Sequence, residues 1–286
     1  MAVRSMDSEG LTDTSQALGR WDKPPLAYVV AELAIAPHYG LAAKIAALQD
    51  ALRSVYPRTI EAAELLFPAA ALLAPGISPP PGIPASPQPL WQLFTTKQTR
   101  GILINYRAIA LHATTYEDST EFQRCWSEVL TAIERAQLEP FVERAGLRYL
   151  DVIVPTPSRQ PVDYLAQSLR GIDPPDGAQL QARVWGLNYT LDDIAVQIRT
   201  ATPAPLNSLL PPTLNALPLL LPRVMIEAQA RVTAQQPIGW IDSDASRAVQ
   251  RPFNAADIAD LYKSLHQTIS TTFKALLSDH AKQEWI

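Results

Sequence analysis

One cysteine, Cys125, stands in a chain of 286 residues. A lone thiol closes no internal disulfide and leaves no thiolate cluster for zinc or iron–sulfur chemistry, so the composition points to a reducing compartment. Charge is also scarce. Only 18% of the residues are charged, the formal net charge is −4 and the pI is about 5.6, so no basic excess exists to draw the chain onto phosphate backbones. Nucleic acid is therefore disfavoured as the main partner, although a local basic face would be compatible with these totals. Glycines number only 11, and neither G-x-x-x-x-G-K-S/T nor G-x-G-x-x-G occurs, which argues against nucleotide binding through phosphate-cradling loops. The nucleophile elbow G-x-S-x-G and the zinc pair H-E-x-x-H are missing too. His38, His112, His266 and His280 lie far apart, none with a second histidine at helical ligand spacing. No cofactor and no metal is expected, and the balance leans away from an enzyme.

Long hydrophobic runs are lacking as well. The most apolar stretch, Leu65 to Ile77, is interrupted by Pro68 and Pro75 and is too short to span a bilayer. Met1 to Arg20 mixes acidic and polar residues without the continuous apolar segment of a secretory signal. It reads as a loose tail, residues 1–22, and a cytoplasmic location without a membrane span is the expectation.

What the sequence has in abundance is proline, and its 26 copies cluster where regular structure must stop. PAAALLAPGISPPPGIPASPQP, within an insertion over 68–90, reads as an exposed connection with polyproline tendency. A second cluster over 203–222 is leucine-rich and reads as an arm that packs on the body. Either could dock a proline-reading domain, but a plain connector is the simpler reading.

Between the breaks, hydrophobic period predicts a recurring order. A strand near Leu26 to Ala36 precedes a helix near Leu41 to Tyr56, with Leu41, Ile45, Leu48, Leu52 and Val55 on one face and Pro57 as its stop. Strands follow near Trp91 to Thr96, Gly101 to Asn105 and Arg107 to Thr114, and their short polar breaks favour antiparallel hairpins. A helix capped near Asp118 and lined by Phe122, Trp126, Val129, Leu130 and Ile133 closes this first unit. The second opens with the strand Phe141 to Val154 and a short helix near Val162 to Arg170. Strands near Gln181 to Tyr189 and Ile194 to Thr200 come next, then a clean alternation from Arg223 to Val232 and a strand near Ile238 to Asp242. The terminal helix, Ala255 to Lys282, is capped by Asn254 and lined by Ile258, Leu261, Leu265, Ile269, Phe273 and Leu276.

The expected fold is thus α+β: two successive strand–helix–antiparallel strands–helix units, 23–138 and 139–286, that share a core. ALHATTYEDSTEFQRCW in the first and GWIDSDA with FNAADIADLY in the second suggest an ancient duplication. Long helices then pack on one face of a curved antiparallel sheet and leave the other face for binding.

Five segments lie in an order that resembles a sporadically distributed, functionally uncharacterised family of prokaryotic proteins: PPLAYVVAELAIAP, WQLFTT, TTYEDSTEFQRCW, FVERAGLRYLDVI and DIADLYKSLHQTISTTFKALLSDHAKQEW. Arg144, Gly146, Leu147, Arg148 and Tyr149 form the most distinctive piece, and Leu265 with His266 the next. The resemblance covers most of the chain and implies fold and extent, with no catalytic residues to carry over. It also implies a setting among mobile or defence genes.

Individual residues sharpen the expectation. In an alternating strand Arg144 and Arg148 share a face with Gly146. Joined by Arg199 and Arg231 from neighbouring strands, with Glu32, Glu227 and Gln229, they would form either a bidentate platform for carboxylates or phosphates or an internal salt-bridge network. Asp242 and Asp244 in IDSDAS could help hold a cation, but read more simply as turn formers at a strand end. His266 reads as a core or boundary residue and Cys125 as a buried apolar filler. The leading functional expectation is a non-enzymatic component of a bacterial multi-component system that recognises another protein through the free sheet face or the proline-rich arms. The rival is a domain binding a small anionic ligand or nucleic acid on the arginine platform.

Overall fold

The computed structural model describes residues 23–65, 87–204 and 236–285. The N-terminal tail, most of both proline-rich segments and the expected strand from Arg223 to Val232, with Glu227, Gln229 and Arg231, lie outside the described residues.

Nine described strands and four helices follow one another as β1 (Leu26–Ile35), α1 (Leu41–Leu52), β2 (Arg58–Leu65), β3 (Pro87–Phe94), β4 (Arg100–Asn105), β5 (Ala108–Ala113), α2 (Ser119–Arg135), β6 (Phe141–Ile153), β7 (Val184–Leu191), β8 (Ile194–Ala201), β9 (Gly239–Pro252), α3 (Ala255–Leu276) and α4 (Asp279–Trp285). The strands form a single sheet in the order β2-β3-β4-β5-β1-β6-β9-β8-β7, and every neighbouring pair is antiparallel. The fold is a mixed α and β one around a large antiparallel sheet. No described helix is long and apolar enough to cross a membrane.

Alternation sorts each strand's side chains between two faces. Val29, Ala31, Leu33 and Ile35 of β1, Ala145 and Leu147 of β6 and Ile241 and Ala245 of β9 join one buried cluster with Phe122, Trp126, Leu130 and Ile133 of α2 and Ile258, Leu261, Leu265 and Ile269 of α3. The helices therefore cover one side of the sheet. Each large apolar side chain fully removed from water there contributes about 1.5–3 kcal/mol, which is what orders α2 and α3 against the strands. Local chemistry sets their starts. Asp118 accepts a hydrogen bond from the Glu121 amide at 2.8 Å, and Asn254 accepts one from the Asp257 amide at 3.0 Å.

Several sequence expectations are corrected. Helix α1 ends at Leu52, so Val55 is 40% exposed while Tyr56, one residue on, is buried. Strand β2 was not expected, and its pairing with β3 extends that strand back to Pro87. The segment 162–170 forms two short 3-10 turns, Pro161–Tyr164 and Gln167–Leu169, rather than an α-helix. The terminal helix breaks at Leu277, which turns extended and bridges Leu165. The Ala166 amide donates to the Leu276 carbonyl and the Ser278 amide to the Tyr164 carbonyl, so these pairings take over from the helical ladder. Finally, β9 runs through IDSDAS without a turn, because Asp242 and Asp244 are held in register between β6 and β8.

Candidate functional site

The side of the sheet away from the helices is built from the other parity of the same strands, and the register brings distant residues into rows. Val30, Arg148, Asp244, Gln197 and Asn188 lie side by side on five successive strands. Next to that row run Glu32, Gly146, Ser246, Ala195 and Thr190, and on its other flank Tyr28, Leu150, Asp242, Arg199 and Gly186. Arg144 and Arg148 thus share a face, as their phase along β6 predicted, and the register adds Arg199, Glu32, Asp242 and Asp244 to it.

Two of the three arginines are paired with acids of the same face. Arg148 binds Asp242 bidentately, Nε to Oδ1 at 2.6 Å and Nη2 to Oδ2 at 2.7 Å, and the two side chains are only 19% and 5% exposed. Burial works against the guanidinium charge, but the hydrogen bonds and charge of Asp242, with Asp244 and Tyr28, outweigh it and raise the Arg148 pKa. Arg144 donates from Nη2 to Glu32 Oε1 at 2.9 Å in a far wetter setting. Arg199 donates to the amide oxygen of Gln197 at 2.6 Å, and Gln197 donates to Asn188 at 2.9 Å. Burial raises the Asp244 pKa against the pull of Arg148 and Arg144. Arg144 and Arg148 thus make the bonds of an internal salt-bridge network, while Arg199 is held by an amide. Both Asp242 oxygens accept from Arg148, and among the described residues no group of three or more histidine, cysteine or acidic side chains is placed to hold a metal ion.

Toward the β7 end this face opens into a groove of about 440 Å³, lined by Arg144, Asn188, Thr190, Gln197, Asp244 and Ser246 among others. Its walls offer amides, hydroxyls, one guanidinium and one carboxylate, a mixture of donors and acceptors with no dominant charge. Away from the groove, the same face turns apolar. Tyr28, Val30, Ala110, Leu150, Val152 and Trp240 belong to a second buried cluster, so this face is not free throughout. His112 sits in that apolar part, its Nδ1 2.6 Å from the Tyr28 hydroxyl, and burial lowers its pKa to about 4.

The helix-covered face holds polar groups that sequence reasoning overlooked. Asp151 is 5% exposed, and burial, with a smaller push from Asp242, raises its pKa to about 8. It lies in phase with Leu147 and Tyr149, and a carboxylate in the apolar phase of FVERAGLRYLDVI was the available signal. Tyr149 hydrogen-bonds His266 Nδ1 at 3.0 Å and meets Tyr116 edge to face. Burial, then Lys274, lowers the His266 pKa. Cys125 is buried as expected but not among apolar groups alone: Arg100 Nη1 lies 2.8 Å from its sulfur and Glu121 Oε1 3.2 Å. Burial and the Glu121 contact push the thiol up to about 11, so at neutral pH it is protonated and a poor nucleophile.

No family model matches the chain, and no curated protein is significantly similar to it.

Proposed function

We propose that the chain is a non-enzymatic binding component that recognises another protein through the polar half of the sheet face opposite its helices. The observation that carries this reading is the groove at the β7 end, whose lining presents mixed hydrogen-bonding groups while its one guanidinium, Arg144, is already paired with Glu32. An anion would have to displace Glu32 or Asp242 to gain the fork of Arg144 or Arg148, and it would meet Asp244 nearby. A polypeptide, with alternating N–H and C=O groups and no net charge, matches the lining without breaking those pairs.

The architecture is read here as two repeated units related across the central β1–β6 pair. From that pair the sheet runs outward through β5, β4, β3 and β2 on one side and through β9, β8 and β7 on the other. Each run is followed in sequence by a long helix, α2 or α3. The setting proposed with it, a cytoplasmic, bacterial, defence-related multi-component system, draws its support from the family resemblance.

Affinity capture with the wild-type chain and a Ser246→Arg variant, whose long side chain fills the groove, tests the proposal. A partner retained by the wild type and lost by the variant is the expected result. The same set of proteins captured by both would overturn it.

A further inference from the structure

The two edges of the sheet are chemically unlike. The β2 edge, RTIEAAEL, carries Arg58, Glu61 and Glu64, whereas the β7 edge, VWGLNYTL, has no charge and no proline over eight residues. Its pairing with β8 runs from Val184 to Leu191 without a bulge. Charges, prolines and bulges are the devices that keep an edge strand from pairing with another chain, and β7 has none of them.

The direction of its free backbone groups can be deduced. The Thr202 amide donates to the Arg183 carbonyl at 2.9 Å. At the other end, Leu191 faces Ile194 across a two-residue turn whose Asp192 and Asp193 have φ of 46° and 61°, the geometry that makes the flanking residues a hydrogen-bonded pair. Odd-numbered residues therefore bond to β8, and Val184, Gly186, Asn188 and Thr190 point N–H and C=O outward. All four are exposed, and among the described residues no strand pairs with that edge.

We infer that β7 is a homodimerisation edge, on which a second copy of this chain pairs antiparallel, β7 to β7, so that the two sheets become continuous. Parity restricts the register, because opposed residues must share a face and the outward-pointing ones must meet each other. One register centred on Leu187 satisfies both conditions. Leu187 then opposes its own copy, Trp185 opposes Tyr189 of the second chain, Val184 opposes Thr190, and Gly186 opposes Asn188. Trp185, Leu187 and Tyr189 are half-buried against the core from their own side, and pairing would complete their cover with cross-strand aromatic contact. No like charges are opposed. Instead the hairpin tip, where Asp192 stands, comes beside Arg183 of the second copy. This inference does not depend on the proposed groove function.

Sedimentation velocity over a range of concentrations, with three forms of the full chain, tests it. The wild type should form a dimer. Asn188→Pro should remain monomeric and folded, with a melting temperature lowered only slightly, since the lost N–H points away from β8 and only the exposed Gln197 contact goes with it. Leu187→Cys should yield a disulfide-linked dimer under mild oxidation, because a residue on the two-fold axis meets itself at bonding distance and Cys125 is buried. A wild type that stays monomeric at every concentration overturns the inference. So does a dimer that persists in Asn188→Pro, or one in which Leu187→Cys fails to cross-link.

Discussion

Strand β6 places two arginines on the same face of the sheet, four residues apart, and their surroundings differ. Around Arg148 the face is turning apolar. Leu150 and Val152 follow it on its own strand, Tyr28 and Trp240 belong to the same buried cluster, and its partner Asp242 is nearly removed from water. Around Arg144 the face is wet: Arg144 and Glu32 keep 44% and 37% of their side-chain surfaces exposed, and Arg144 lines the groove. Identical residue types in identical strand phase thus do different work. The first pair is a structural element whose geometry must be complete, because a buried charge left alone is costly; the second is a surface contact that solvent can replace.

Removing one partner at a time is the strongest way to break this contrast. Arg148→Ala leaves the Asp242 carboxylate buried without its bidentate partner and should cost about 3–5 kcal/mol in urea unfolding. Loss of less than about 1 kcal/mol would show that the pair is already solvated.

Asp151 sharpens the contrast from beneath, since it faces the helices yet feels the Asp242 charge. The unfolded chain releases this proton at about pH 4 and the folded chain at about 8. Between those values the folded state binds more protons, so stability should fall as pH rises, by up to about 1.4 kcal/mol per pH unit. Asp151→Asn should flatten that decline and exceed the wild type in stability above pH 8. His112 acts with the opposite sign. Its folded pKa of about 4 lies below the unfolded value, so its contribution is lost as pH falls from about 6.5. His112→Gln should reduce the acid sensitivity, checked by thermal unfolding across the same pH series.

Glycine substitutions compare the two halves of the face directly. A Cβ at Gly101, in the apolar half, would lie 2.8 Å from both His112 Nε2 and the Phe94 ring. Gly101→Ala should therefore destabilise by about 1–3 kcal/mol. At Gly146, in the polar half, the nearest atom is Arg144 Nη1 at 3.0 Å, the movable end of a long side chain. Gly146→Ala should be close to neutral. Arg144→Ala should likewise cost little, about 0.2–1 kcal/mol, diminished by salt.

Much of this scaffold was legible before the coordinates. Eight of the nine described strands overlap segments that hydrophobic period marked, although β3 and β9 run well beyond theirs, and Asp118 and Asn254 cap the helices expected of them. The exceptions have a common cause. Strand β2, the 3-10 turns and the break at Leu277 are fixed by pairing with distant segments, which local period does not encode. IDSDAS was read as a turn because aspartates favour turns; here Arg148, 94 positions earlier, neutralises Asp242 and lets the strand continue. Arg199 joins the other two arginines only through the register of β8 on β9, whereas the shared face of Arg144 and Arg148 followed from phase alone. Which acid each would meet did not, because β6, β8 and β9 become neighbours only through the sheet order.

Arg144 and Arg148 hold acids of the same chain, and on the proposed function the polar surface beside them takes a protein partner rather than an anion. Thermal unfolding in rising concentrations of inorganic phosphate and of single-stranded DNA tests it most directly. The account predicts no saturable rise in melting temperature with either. A saturable rise that disappears in both Arg144→Ala and Arg148→Ala would contradict it and assign the face to anion binding.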